Sequence, residues 1–187
     1  MPPTPDPRTT PHDGPGSTRF PAAVDIALQN AGWQPGRWDI QQAEHWADTL
    51  RDHTSPAGHR HTVFPAAVEA WAEFGGLRIT GPGPGRHIAP APFTIDPLHG
   101  LHLARTLGDL GRALGTDVAP LGQEQLPDTK ATRGTTYPQA TLAIDAEGRV
   151  YSLDHTGDWY LGPTLDQALA ALILGTRPSR LTVAAAD

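Results

Sequence analysis

Three groups of side chains in this sequence are of types that do chemistry. His53, His59 and His61 stand close together, and neutral imidazoles bind zinc or copper. No Cys or carboxylate sits at a regular offset, and a segment holding Pro56 and Gly58 does not supply the rigid frame a metal needs. The segment reads as a solvated polar loop with no metal. His99 and His102 are three residues apart and would share a helix face, but no acid is spaced to orient them. Asp154 and His155, with Asp158 nearby, form the one pair suited to acid–base work. They lack an evident nucleophile, and a turn rich in Asp, Gly and Thr explains the same residues.

A fourth feature fails on chemistry. Gly81 to Gly85 has the glycines of a phosphate-cradling loop, but Pro82 and Pro84 have no N–H to offer an anion, and no Lys-Ser or Lys-Thr pair follows. The sequence therefore predicts no catalytic residue, no cofactor site and no metal site. Large apolar side chains are the remaining candidates for function. Trp38, Trp46 and Trp71 fall on helical stripes or a staple position. Trp33, just past the helix-ending Gly32, and Trp159, beside Tyr160, are not explained by a stripe and are either core residues or partly exposed partner-binding anchors, two readings the sequence leaves open.

The elements that must position these residues follow from periodicity. Phe20, Val24, Ala27, Leu28 and Ala31 predict a helix beginning near Pro21 and ending at Gly32. Asp39 with Gln42 three residues on predicts a capped second helix, Trp38 stapling to Ala43. Pro65 opens a third, ended by Gly75-Gly76. Leu77, Ile79, Ile88 and Phe93–Ile95 predict short extended segments. Asp96-Pro97 opens a long helix carrying Leu103, Leu107, Leu110 and Leu114 and closed by Gly115. Downstream the period becomes two. Val118–Leu121, Thr141–Asp145, Val150–Leu153 and Trp159–Leu161 predict strands, with a hairpin turn at Ala146-Glu147-Gly148. Thr164 and Gln167 cap a last helix ending at Gly175.

Together these predict an α+β domain on a mostly antiparallel central sheet, with N-terminal and flanking helices. The expected organisation is a Pro-rich disordered tail over residues 1–18, one domain over 19–178, and a flexible tail over 179–187. The chain has no Cys, which fits a reducing compartment, and cytoplasm is the expected location. Its longest apolar run, Ala168–Leu174, falls well short of the roughly 20 residues that span a bilayer. The net charge of −6 disfavours direct contact with nucleic acid and favours a basic partner.

An ordered set of motifs carries a resemblance. Ala31-Gly32-Trp33, Pro35-Gly36-Arg37, Glu73-Phe74-Gly75-Gly76-Leu77 and Ile95-Asp96-Pro97 are followed by Gly148-Arg149-Val150-Tyr151, Tyr160-Leu161-Gly162 and Ala168-Leu169. From about Phe20 to Arg177 the chain resembles the third immunity-protein branch of the SUKH superfamily. The resemblance implies a SUKH-like fold and a non-enzymatic protein that binds and neutralises a cognate toxin of a bacterial polymorphic toxin system, of nuclease or nucleic-acid deaminase type. It gives Gly75-Gly76 a helix-stop role and Arg37 a structural ion pair. No contact residues carry over. Charge and loop position instead nominate Trp33, Glu124, Asp128, Asp154, Asp158, Trp159 and Tyr160 for the partner, with the His-containing linker and the Gln123–Pro138 segment as further recognition loops. The other readings are a regulatory or scaffold domain binding a cellular protein, and a hydrolase using Asp154 and His155.

Overall fold

A computed structural model describes residues 19–126 and 139–182. Asp128 and most of the Gln123–Pro138 segment lie outside these residues, as does the Pro-rich stretch before Arg19. Among the described residues seven strands form one sheet in strict chain order, every neighbouring pair antiparallel. These are β1 (Arg78–Ile79), β2 (Phe93–Thr94), β3 (Val118–Gln125), β4 (Gln139–Asp145), β5 (Val150–Asp154), β6 (Gly157–Gly162) and β7 (Ser179–Arg180). The helices are α1 (Ala22–Asn30), α2 (Ile40–Asp52), α3 (Pro65–Phe74), α4 (Ala104–Leu114) and α5 (Leu165–Leu174). The α+β class read from the sequence is the class observed.

Successive strand residues point to opposite faces, so each face needs its own cover. On one face Phe93, Leu121, Leu142, Ile144 and Val150 share an apolar cluster with α1, α2, α3 and α5. On the other, Val118, Ala143, Tyr151 and Leu153 pack against Leu107 and Leu110 of α4. The stripes read at helical spacing supply these contacts, and burial of that apolar area is what drives the packing.

The caps show how sequence fixes the element ends. Asp39 accepts from the Gln42 N–H at 3.0 Å, and Thr164 from the Gln167 N–H at 3.3 Å. The Asp39 N–H donates not to Gln42 but to Ala72 O on α3, at 2.8 Å. Gly76, with φ +79°, turns the chain out of α3. At Gly75 a Cβ would strike the Trp71 carbonyl and the Trp46 ring, so close packing, not dihedral freedom, demands glycine there.

Several expectations change. The helix after Asp96-Pro97 begins as a 3-10 segment, Pro97–Leu103, and becomes α-helical only at Ala104. Its Gly100 lies so close to Pro120 of β3 that a Cβ would overlap the proline ring. Ile88 is not in a strand and is exposed. The Gly81–Gly85 stretch instead brings the N–H groups of Arg86, His87 and Ile88 onto the carbonyls of Leu174 and Gly175 at 2.8–3.0 Å, satisfying the C-terminal end of α5. The ordered fold also extends past residue 178, because Ser179 and Arg180 pair with Tyr160 and Trp159.

Candidate functional site

Strand register decides which of the nominated residues can act together. Residues directly opposite in an antiparallel pair share a face. Glu124 faces Phe93 and Ala140, Leu142 faces Ser152, and Ser152 faces Trp159, so Glu124, Ser152, Asp154 and Trp159 all lie on the face covered elsewhere by α3 and α5. Asp158 and Tyr160 lie on the opposite face, where the Tyr160 ring sits 5.8 Å from Tyr151. Trp159 and Tyr160, adjacent in sequence, therefore do not form one aromatic anchor. The three described acids are strand residues and not loop residues, since Glu124 is in β3, Asp154 ends β5 and Asp158 is in β6.

Trp33 is 3% exposed. It stacks on Phe74 at 6.1 Å, meets Phe20 edge-on, and donates its indole N–H to Glu73 at 3.2 Å. The structure thus places it in the core as a structural residue. Arg19 locks the same corner. It bonds Glu73 of α3 and Asp166 of α5, and its guanidinium lies 5.0 Å from the Phe20 ring. Among the described residues Arg37 makes no ion pair but donates to the carbonyl oxygens of Glu73 and Gly75, at 2.5 and 2.8 Å, closing the C-terminal end of α3.

The two carboxyls on the Trp159 face are shifted in opposite directions. Burial pushes Glu124 up to about 7, with a bond from Ser152 opposing the shift and the nearby Asp154 charge adding to it. At Asp154 burial again opposes ionisation. Bonds from the Thr156 hydroxyl and N–H, the Trp159 side chain and the Gly157 N–H outweigh it and hold the carboxyl below its usual range. Asp154 is therefore committed to its own turn. Among the described residues no hydrogen bond joins His155 to it, so the pair lacks the orienting contact that acid–base work requires.

The sequence groups His53 with His59 and His61, and His99 with His102. The structure gathers a different set, His53 from the end of α2, His61 from the linker and His102 from the 3-10 segment. Ring centroids lie 6.2 Å apart for His53 and His61 and 5.2 Å apart for His53 and His102. Among the described residues no group of three His, Cys, Asp or Glu is arranged to hold a metal ion. His61, 8% exposed, donates Nε2–H to the Leu101 carbonyl at 2.7 Å, which leaves buried Nδ1 as an acceptor with no donor.

Burial lowers the His61 pKa from the ordinary 6.5, the Leu101 bond opposes this, and His53 and His102 add to the lowering. A lowered folded-state pKa means that the unfolded chain takes up the proton first. The stability due to neutral His61 is complete above 6.5 and is lost as pH falls from there through the folded pKa. Urea unfolding of the parent and of His61→Leu should accordingly show the parent's advantage at about pH 7.5 shrinking at about pH 5.5. An equal difference at both pH values would refute this account.

Two features escape the sequence reading altogether. Asp145 is fully buried and accepts from the N–H groups of Glu147 and Arg149, the Arg149 Nε and the Tyr151 hydroxyl, at 2.6–3.0 Å. An Asp at the first position of a tight turn is the signal that would have found it. Trp38, placed by sequence as a staple onto Ala43, is instead 53% exposed. Its neighbours Arg37 and Asp39 are both tied to the end of α3, and this turns the indole outward.

Helices on both faces of a seven-stranded antiparallel meander, with buried carboxylates used for turns and packing, define an α+β domain. The chain belongs to the SUKH-3 immunity protein family, which matches it over residues 20–175. Neither the curated proteins nor the solved structures yielded a match. No helix among the described residues is long and apolar enough to cross a membrane.

Proposed function

We propose that this chain neutralises a cognate bacterial polymorphic toxin, of nuclease or nucleic-acid deaminase type, by forming a stoichiometric complex with it in the cytoplasm. Membership of an immunity-protein family across residues 20–175 is the observation that carries this reading. The net charge of −6 supports a basic partner, because opposite net charges accelerate encounter and orient it. In this reading Asp154 and Asp158 lend the sheet end its acidic charge, Glu124 adds to it in full only as pH rises past about 7, and the half-buried Trp159 and Tyr160 offer apolar contact.

Co-expression tests the proposal. A host carrying the toxin domain encoded beside this chain's gene should grow only when the chain is also made, and the two proteins should co-elute. Association should slow as salt is raised, since steering between net charges is screened beyond a Debye length of about 8 Å at physiological ionic strength. Growth arrest despite full expression, with no complex on co-purification, would overturn the reading.

A further inference from the structure

An indole that is half open to water gains free energy when a partner covers it. Four of the five tryptophans are buried or half-buried, and Trp38 alone is more than half exposed, with Ile40 partly exposed two residues on. Its segment is not slack. Arg37 is bonded to two carbonyls at the end of α3, and the Asp39 N–H to a third, at 2.5–2.8 Å, so the indole is presented from a fixed backbone. A rigid exposed aromatic loses little entropy on contact, which is the property of a binding anchor.

Beside it runs a cleft of about 250 Å³ between α3, the β4–β5 turn and the start of α5, with Trp38 on its rim. Three carboxylates, Glu69, Glu73 and Glu147, border this cleft. Glu73 is engaged by Arg19 and Trp33, and Glu147 by Arg149, while exposed Glu69 makes no ion pair or side-chain hydrogen bond among the described residues. Acids outnumber the basic Arg19 that reaches the cleft. A carboxylate that shares a cleft with an exposed indole, and has no cation among the described residues, is complementary to an arginine or lysine side chain, which can lie over the ring and pair with the acid at once.

We infer that Trp38 and this cleft are where the toxin docks, with a cationic toxin side chain laid across the indole and paired to Glu69. The inference rests on the toxin-neutralising reading and names its contact surface. The test first defines the toxin as the domain whose toxicity the wild-type chain suppresses on co-expression, and then measures its Kd for purified variants. Trp38→Ala should weaken binding by about 30-fold or more, and Glu69→Arg by about 10-fold. Trp38→Phe should recover part of the loss, and thermal melts of all three should match the parent, because both side chains are exposed. Trp159→Ala serves as the comparator on the far end of the sheet. Affinities of Trp38→Ala and Glu69→Arg within threefold of wild type overturn the inference and leave the toxin-neutralising reading intact, as does a loss confined to Trp159→Ala. If the wild-type chain suppresses no toxin, both fall together.

Discussion

Asp145→Ala should lower the unfolding free energy by about 3–4 kcal/mol at neutral pH. The carboxylate is completely buried and carries four hydrogen bonds, two from backbone N–H groups inside the β4–β5 turn, one from Arg149 and one from the Tyr151 hydroxyl. Removing it leaves the buried phenol without its acceptor and strips the part-buried turn N–H groups and Arg149 of theirs, and the penalty for an orphaned buried donor exceeds the net value of its bond. Asp145→Asn should cost less, because its amide oxygen can still accept from Glu147 and Arg149. It should still destabilise, because the amide nitrogen then meets the Arg149 donor. Tyr151→Phe should cost about 1 kcal/mol, the usual net value of one hydrogen bond. Urea denaturation of the three variants should rank them in that order, and a cost below about 1 kcal/mol for Asp145→Ala would show that the turn does not depend on this carboxylate.

Glu124→Gln should act in the other direction. Burial raises the Glu124 pKa from 4.5 to about 7 in the folded chain, so the unfolded chain releases its proton at lower pH. The group is harmless below 4.5, where both states are neutral, and stability falls as pH rises from there to about 7. The shift corresponds to roughly 3 kcal/mol at 1.36 kcal/mol per pH unit. With part of the carboxyl still near water, a stabilisation of about 2 kcal/mol by Glu124→Gln at pH 8 is the expected result, fading toward pH 4.5. His61 contributes the opposite slope below 6.5. The parent's pH profile is therefore a composite, and only the difference between variant and parent isolates Glu124. A difference that does not change with pH would refute the assignment.

Much of the fold could be read from local signals. Asp39 and Thr164 cap as their spacing requires, Pro65 and Pro97 open helical segments, and the switch to period two marks β3 to β6. These features depend on neighbours within a few residues. What stayed hidden depends on distant ones. The 3-10 geometry of Pro97–Leu103 follows its tight seat against Pro120, and β7 exists because β6 offers an edge. The exposure of Trp38 follows from hydrogen bonds to α3, thirty-odd residues away, which override the staple that local spacing suggests. The grouping of His53 with His61 and His102 likewise needs the tertiary fold.

For Trp159 and Tyr160 the deciding rule is local and is present in the sequence. Strand alternation places consecutive residues on opposite faces, so a strand that spans both cannot present them as one patch. The same rule separates Asp154 from its neighbours and sets it beside Trp159, where its charge is absorbed by the turn. Applied to β6 from the start, period two would have divided the nominated residues as the structure does.

The outermost strands of the sheet, β1 and β7, are only two residues long. So brief an edge offers few free backbone groups to a foreign chain, which protects a sheet from templating amyloid-like growth and from capturing strands at random. It also closes one route of recognition, since a partner cannot be held by adding a long strand of its own to this border. In the toxin-neutralising reading the grip then falls mainly to side chains, whose selectivity can be rewritten by surface substitution without touching the hydrogen-bonded lattice beneath.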